Sequence, residues 1–459
     1  MMKVDVTILG GGPGGFAAAL KAREYGFKAL LIEKEAVGGV CLHRGCIPTK
    51  SLLADAFLLR KEKREDKKNA FSEMLSKKEK VVSRIHQGAL DTLKKEGVLL
   101  IQGEAKVVRE HLVRVNDETI ETKFILIATG SRPKEITGFP FDGERILSSD
   151  DLLKIKDIPQ SLLIIGAGPT GCEFASLFHV LGTQVFLLEV APSILPGQDE
   201  EISEALKKIF IKQGIEVHAG ETVVSVQKRD EGVVVSTASG EKKSAEKILV
   251  SIGRSPNSQN LGLESLEFSL INGVIPVDAC LRTVVPSIYA VGDVTGKWPL
   301  AHVASHQGRI AIENIAGKKR SAEEMAIPEC VFTMPEIAKV GWTEKEAKGK
   351  GKEIRVGRSS FFVSAKAQIL EEKEGFVKLV GEAQTGKLLG AHLLGPQVTE
   401  LLGELTLALR MEISVSEIQE TIHPHPTLSE SVEEAARDFV QKGKQRDNHT
   451  FSGMASKAN

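Results

Sequence analysis

One pattern occurs twice in this chain of 459 residues, and no other feature restricts its fold as strongly. The segment VDVTILGGGPGGFAAALKAREYGFKALLIEK reads as an apolar strand, a glycine turn, an amphipathic helix and a second strand closed by Glu33. Gly10, Gly12 and Gly15 fit GxGxxG. The first glycine permits the tight turn, the second lets the backbone approach a pyrophosphate, and the third lets helix and strand pack closely. SLLIIGAGPTGCEFASLFHVLGTQVFLLEV repeats the pattern with Gly166, Gly168, Gly171 and Glu189, and from first glycine to acid the separation is 23 residues both times. Glycine turns of purely structural use would not need matched acids, so the repeat points to two dinucleotide-binding units in an α/β chain.

The second acid also discriminates between nicotinamide cofactors. A carboxylate accepts from a free ribose hydroxyl, whereas a 2′-phosphate calls for Arg or Lys; Val190 to Ile194 contain no cation, so NAD is expected over NADP. Length suggests about three domains, and 42% hydrophobic with 26% charged residues is the balance of a globular protein with substantial cores. With 60 basic against 61 acidic residues, neither a nucleic-acid footprint nor a membrane-binding patch is expected. The charge-dense RKEKREDKK, Arg60 to Lys68, mixes both signs and reads as the solvated face of a helix. No apolar run approaches the roughly 18 residues of a membrane span, and Asp5 interrupts what would be the apolar core of a signal peptide. A cytoplasmic location is the expectation.

Five cysteines are too few for a disulfide scaffold. In GGVCLHRGCIPTKSLL, Cys41 and Cys46 stand five positions apart, a spacing that can close a disulfide. Two idle thiols or half of a zinc site are the alternatives. Cys172, Cys280 and Cys330 are scattered and supply no second pair, so a redox pair is the better reading and no metal is expected. Arg44, and a helix starting after Pro48, are both expected to favour a thiolate.

In order along the chain come GGGPGG, the CxxxxC segment, ATGSRP (128–133), GAGPTGCE, IGRSPN (252–257), TVVPSIYAVGD (283–293), LAHVASHQG and HPHPTLSE (423–430). Over nearly its whole length the chain thereby resembles the pyridine nucleotide-disulfide oxidoreductase family. The resemblance implies that Gly10, Gly12, Gly15, Glu33, Thr129, Gly130, Asp293 and Ala301 hold FAD, with Asp293 on the flavin ribityl chain and Ala301 as a backbone contact. It assigns NAD to Gly166, Gly168, Gly171, Glu189 and Gly253. Lys50 would lie beside the flavin ring and Glu173 opposite it, and ATG would mark the crossing from flavin to nicotinamide domain. Val40 stands where many members carry Thr, which removes one hydroxyl contact near the FAD phosphates.

A substrate thiol must lose a proton before it can attack a disulfide, and histidine is the natural base near neutral pH. HPHPTLSE supplies His423, His425 and Glu430. By resemblance His425 is the base and Glu430 orients it, with His423 structural or near the entrance; the residues alone do not rank the two histidines. Pro424 occupies a place where the family commonly has Ala, and with Pro426 it biases both preceding histidines toward extended backbone. The family combines the cysteines of one subunit with the histidine of the other, which implies a homodimer.

The expected fold is therefore α/β, with two Rossmann-like FAD- and NAD-binding domains and a C-terminal α+β dimerisation domain. The expected division is a flavin domain (1–145), a nicotinamide domain (146–272), a central segment completing the FAD site (273–338) and a dimerisation domain (339–459). The polar tail GKQRDNHTFSGMASKAN has neither periodicity nor a core pattern and is expected to be mobile. The resemblance implies oxidation of protein-bound dihydrolipoyl groups with NAD as acceptor. Its partner would be a lipoyl-bearing acyltransferase, or the carrier protein of a glycine cleavage complex. An NADPH-dependent glutathione-type disulfide reductase is the alternative, against which Glu189 argues.

Overall fold

The repeated strand–turn–helix pattern folds as its periodicities require, once in each of two units. A computed structural model describes residues 1–266, 268–322 and 326–455. Contacts divide the chain into Met1–Ile158 with Leu249–Glu323, and Pro159–Ile248 with Glu324–Asn459.

In the first unit β1 (Met2–Leu9), α1 (Pro13–Glu24) and β2 (Ala29–Glu33) form the first copy of the pattern. The short helix α2 (Gly39–Arg44), α3 (Cys46–Glu62) and the long α4 (Lys67–Lys95) follow, and then β3 (Leu99–Gln102), β4 (Ala105–Arg109), β5 (Leu112–Val115) and β6 (Glu118–Ile127). The sheet runs β3-β2-β1-β6-β5-β4. Its β3, β2, β1 and β6 are mutually parallel, β5 and β4 turn antiparallel, and Ile288–Ala290 adds a parallel strand along β6. Parallel strands must be covered on both faces, and these are. Val6 and Ile8 join a core with Ala18 and Ala22 of α1 and Ile310, while Val4, Leu30 and Ile32 join another with Val107 and Val113.

The covering face of α1 is made of Gly14, Gly15, Ala17, Ala18, Ala19 and Ala22, and the helix Ala301–Ile315 packs on it. Small residues let the two backbones approach closely. A Cβ on Gly308 would stand 2.2 Å from the Gly14 carbonyl oxygen, so only glycine fits there.

In the second unit the strands Ser161–Ile165, Gln184–Glu189 and Glu216–Ala219 pair in parallel around the second copy of the pattern, with the helix Pro169–Val180 following the turn. An antiparallel three-stranded meander, Val223–Arg229, Gly232–Thr237 and Lys242–Ala245, follows. The chain from Glu329 onward builds a five-stranded antiparallel sheet, in order Glu329–Val331, Glu336–Gly341, Leu388–Gly395, Phe376–Glu382 and Ile354–Ser360. The helices Val398–Arg410 and Glu430–Ala455 cover it over a core of Val377, Leu379, Leu393, Leu405, Val432 and Phe439. The fold is thus α/β with a C-terminal α+β part, as expected. The polar stretch beginning at Gly443 is helical to Ala455 rather than patternless; residues 456–459 lie outside the described residues. Among the described residues no helix is long and apolar enough to cross a membrane.

Candidate active site

The first turn shows why its glycines are glycines. Gly10 has φ +105°, and a Cβ on Gly15 would lie 1.8 Å from the Gly10 carbonyl oxygen. Gly12 caps α1 in extended conformation with Pro13 behind it, and no side chain caps the helix. The first N–H groups of α1 therefore lack intrahelical partners, and the space a Cβ on Gly12 would occupy is open. Such a helix start fits a pyrophosphate. Glu33 accepts the Gly11 N–H at 2.6 Å and the Glu35 N–H at 2.8 Å, so it fixes the turn while each oxygen keeps a lone pair for a ribose hydroxyl.

The second turn repeats this geometry. Gly166 has φ +100°, Gly168 caps the helix Pro169–Val180 with no side-chain cap, and the space beyond Gly168 is open. Glu189 accepts the Ala167 N–H at 2.7 Å and the Ala191 N–H at 2.8 Å. Gly171 is buried inside that helix, where helix and strand pack.

Cys41 lies on α2 and Cys46 is the first residue of α3; both are thiols. The helix expected after Pro48 thus begins ahead of it, at Cys46. Pro48 falls in the first turn, where its missing N–H has no intrahelical partner to lose. That places Cys46 at a helix N-terminus, a position that favours negative charge. The hydrogen bond that the Cys41 thiol donates to Cys46, together with burial, pushes Cys41 well up, while the charge of Lys50 pulls the other way. A second expectation changes as well. Arg44 pairs with Glu35 at 2.7 Å and with Asp150 at 3.5 Å, so its charge is largely compensated before it reaches either sulfur.

The chain from β6 through ATG lies against GRSPN. Thr129 Oγ1 donates to the Asn257 carbonyl at 2.7 Å, and the Asn257 side chain donates back to the Thr129 carbonyl at 3.1 Å. Gly130 has φ +68° and its carbonyl accepts the Asn257 N–H at 2.9 Å. Gly253 sits in the same antiparallel crossing, its carbonyl accepting the Lys134 N–H at 3.1 Å. Asp293 accepts from Ser131 Oγ at 2.5 Å, and Arg254 Nε donates to that same hydroxyl at 2.6 Å. Sequence reasoning missed Ser131 and Arg254. Both lie inside quoted motifs, but nothing in either string says that they meet. Ala301 opens the helix Ala301–Ile315, another helix start with no side-chain cap.

In the second unit the two histidines separate cleanly. The His423 side chain is 4% exposed, with Nδ1 on the Thr421 carbonyl at 2.9 Å and Nε2 on Glu404 at 3.1 Å. His425 is 73% exposed, and among the described residues only its Nδ1 is engaged, on Glu430 at 2.8 Å. Glu430 is itself held by the Thr427 N–H at 2.8 Å, and the bond from His425 followed by that from Thr427 lowers its carboxyl. An ionised acid on Nδ1 sets the tautomer that leaves Nε2 able to take a proton. Glu173 is buried in its helix and accepts the Phe332 N–H at 3.0 Å. No group of His, Cys, Asp and Glu suited to a metal occurs among the described residues.

Two nucleotide turns, a thiol pair beside the first of them and a histidine–glutamate dyad define a class. The family profile for pyridine nucleotide-disulphide oxidoreductases matches residues 4–308, and that for the dimerisation domain of the same family matches residues 327–436. The chain belongs to this family of FAD- and NAD-linked oxidoreductases. It is 38% identical to a dihydrolipoyl dehydrogenase of Bacillus subtilis, covering 94% of this chain and 97% of that one. It is 40% identical to the dihydrolipoyl dehydrogenase of Chlorobaculum tepidum, covering 95% and 97%. Among solved structures it is similar to LpdA from Mycobacterium tuberculosis, at a TM-score of 0.88 and 29% identity over 95% of this chain and 99% of that chain.

Proposed function

We propose that the protein works as a dihydrolipoyl dehydrogenase, oxidising dihydrolipoyl groups carried on another chain to the cyclic disulfide and passing the electrons to NAD. The observation that carries this reading is the thiol pair, with Cys41 holding its proton toward Cys46 and Cys46 at the start of α3. The relatives of similar length supply the substrate class.

In the oxidised enzyme Cys41 and Cys46 form a disulfide. His425 of the partner subunit takes a proton from one substrate thiol, whose thiolate attacks Cys41 Sγ, and Cys46 leaves as a thiolate. The imidazolium passes its proton to solvent, and His425 of the partner subunit then deprotonates the second substrate thiol. That thiolate closes on the first substrate sulfur, and Cys41 departs and takes the proton back. One S–S bond has broken, one has formed, and two electrons rest on the cysteine pair. Bound FAD supplies the relay by which those electrons reach NAD. Gly10, Gly12, Gly15, Glu33, Thr129, Gly130, Asp293 and Ala301 would hold FAD, and Gly166, Gly168, Gly171, Glu189 and Gly253 would hold NAD. Lys50 and Glu173 would flank the flavin ring.

A homodimer follows from this division of labour. Phe362, Val363, Leu407, Met411 and Ile422 are large apolar side chains exposed on the region matched to the dimerisation domain, and a second copy would cover them. The four-part division at 145, 272 and 338 belongs to the same proposal. A reducing compartment suits a pair that cycles through the dithiol, and we propose the cytoplasm. The test is direct: the purified protein should be yellow and reduce NAD with dihydrolipoamide. Turnover of glutathione disulfide with NADPH, and none with dihydrolipoamide, would overturn both the substrate and the cofactor direction.

A further inference from the structure

Two imidazoles unused by this chemistry converge beside the thiol pair. His43 lies on α2, two residues beyond Cys41, and His86 lies on α4. His43 Nε2 and His86 Nδ1 are each 2.9 Å from one oxygen, the carbonyl of Val37. The rings meet edge to face with centroids 5.0 Å apart. A carbonyl can only accept, so both nitrogens carry their protons and fill both of its lone pairs.

Val37 is the hinge of this region. It is buried in the segment between β2 and α2, and the next residue, Gly38, turns the chain at φ +105° while donating its N–H to the Gly11 carbonyl at 2.8 Å. The segment is thus tied to the first glycine turn on one side and to the two histidines on the other. α2 has six residues and no side-chain cap, too few to hold its own orientation. What fixes it is tertiary: His43 from within, His86 across from α4, and Arg44 on Glu35.

We propose that His43 and His86 are positioning residues for Cys41, acting as a double N–H clamp on Val37 that fixes α2, and with it the interchange sulfur, against Cys46. The clamp rests on the reading of Cys41 as interchange thiol, yet it concerns the dithiol protein itself and can be tested without substrate. Loss of one donor frees α2 and exposes a sulfur that is otherwise half-buried.

The experiment separates the N–H from the ring. His86→Phe keeps an aromatic ring and removes the donor. His86→Asn removes the ring and places an amide N–H near the position of Nδ1. In the flavin-loaded, dithiothreitol-reduced protein, the rate of iodoacetamide labelling at Cys41 is followed by peptide mass mapping. The clamp predicts labelling at least about threefold faster in His86→Phe and within about 1.5-fold of wild type in His86→Asn, since small displacements shift reactivity strongly. The reverse order would assign the ring to packing and overturn the proposal. Both variants at the wild-type rate, or both equally fast, would overturn it as well. Dihydrolipoamide turnover by the wild type, measured alongside, tests the proposed function separately, because labelling needs only the reduced thiols.

Discussion

The glycine turn at Gly10–Gly15 and that at Gly166–Gly171 are alike in backbone and differ in what surrounds them. Both begin with a left-handed glycine, cap the helix with an extended glycine, place proline at the first helical position and use one glutamate to hold two N–H groups. Only the first is followed by a short helix carrying a cysteine. Its supports differ too. The first turn's helix is backed by glycine and alanine against Ala301–Ile315, whereas the second unit contains a buried ionic cluster around Lys378. Under the proposed assignment the shared turn would recognise a nucleotide and the added segment would decide the chemistry.

If that division is right, Cys41→Ser should separate the two functions completely. Dihydrolipoamide oxidation should fall by at least about 10⁴-fold, as for loss of the group that carries the covalent intermediate, while NADH-driven reduction of ferricyanide continues. A parallel loss of both activities would mean that the cysteine segment also supports the nucleotide site. His425→Gln comes next. General-base loss should slow the thiol half-reaction by about 10²–10⁴-fold, again with NADH–ferricyanide activity retained, and near-normal dihydrolipoamide turnover would sink the assignment.

The turns themselves can be set against each other. Glu33→Gln should weaken flavin retention and leave the affinity of the reloaded enzyme for NAD unchanged. Glu189→Gln should raise the KM for NAD about tenfold, the size of one charge-assisted hydrogen bond, with normal flavin content. Flavin loss in the Glu189 variant would reverse the assignment of the two turns.

These glutamates were legible in the sequence because the turn and its acid lie 23 residues apart in one local unit, and Cys41 and Cys46 were legible because they are neighbours. What was hidden depends on distant partners. His423 and His425 look equivalent in HPHPTLSE and are told apart by their partners, chiefly by Glu404, which reaches His423 from the helix Val398–Arg410, while His425 turns to Glu430. Arg44 read as a free cation until Asp150 and Glu35 met it. Ser131, Arg254 and Asp293 come from three widely separated segments, and no single-sequence pattern registers their meeting. The helix from Glu430 to Ala455 escaped notice at its polar end, whose sequence carries neither an apolar stripe nor a run of strong helix formers.

The supports offer two smaller tests. Gly308→Ala should destabilise the first unit by about 1–3 kcal/mol, the usual cost of forcing a methyl into a closed contact, seen as a lower thermal midpoint for flavin release. A wild-type midpoint would show that the two helices can part without penalty.

In the second unit the ionic cluster makes stability depend on pH in a definite direction. Lys378 is 2% exposed and lies 2.9 Å from Asp199, 3.0 Å from Glu201 and 3.1 Å from Glu344, while Arg358 also grips Glu201. The hydrogen bond from Arg358, and then that from Lys378, bring the Glu201 carboxyl down to about 2 against burial, which acts the other way. A carboxyl lowered on folding contributes its stability above its unfolded pKa of about 4.3 and loses it as pH falls toward about 2. Glu201 is 43% exposed, so screening keeps the contribution below about 1 kcal/mol. Glu201→Gln removes the titration and leaves a side chain of the same shape. The gap in urea midpoint between wild type and this variant should therefore be widest at pH 6 and shrink steadily through pH 4 and pH 3. A gap that stays constant would show that Glu201 stabilises the second unit through packing and neutral hydrogen bonds, and that the two turn regions differ less in their supports than the ionic cluster implies.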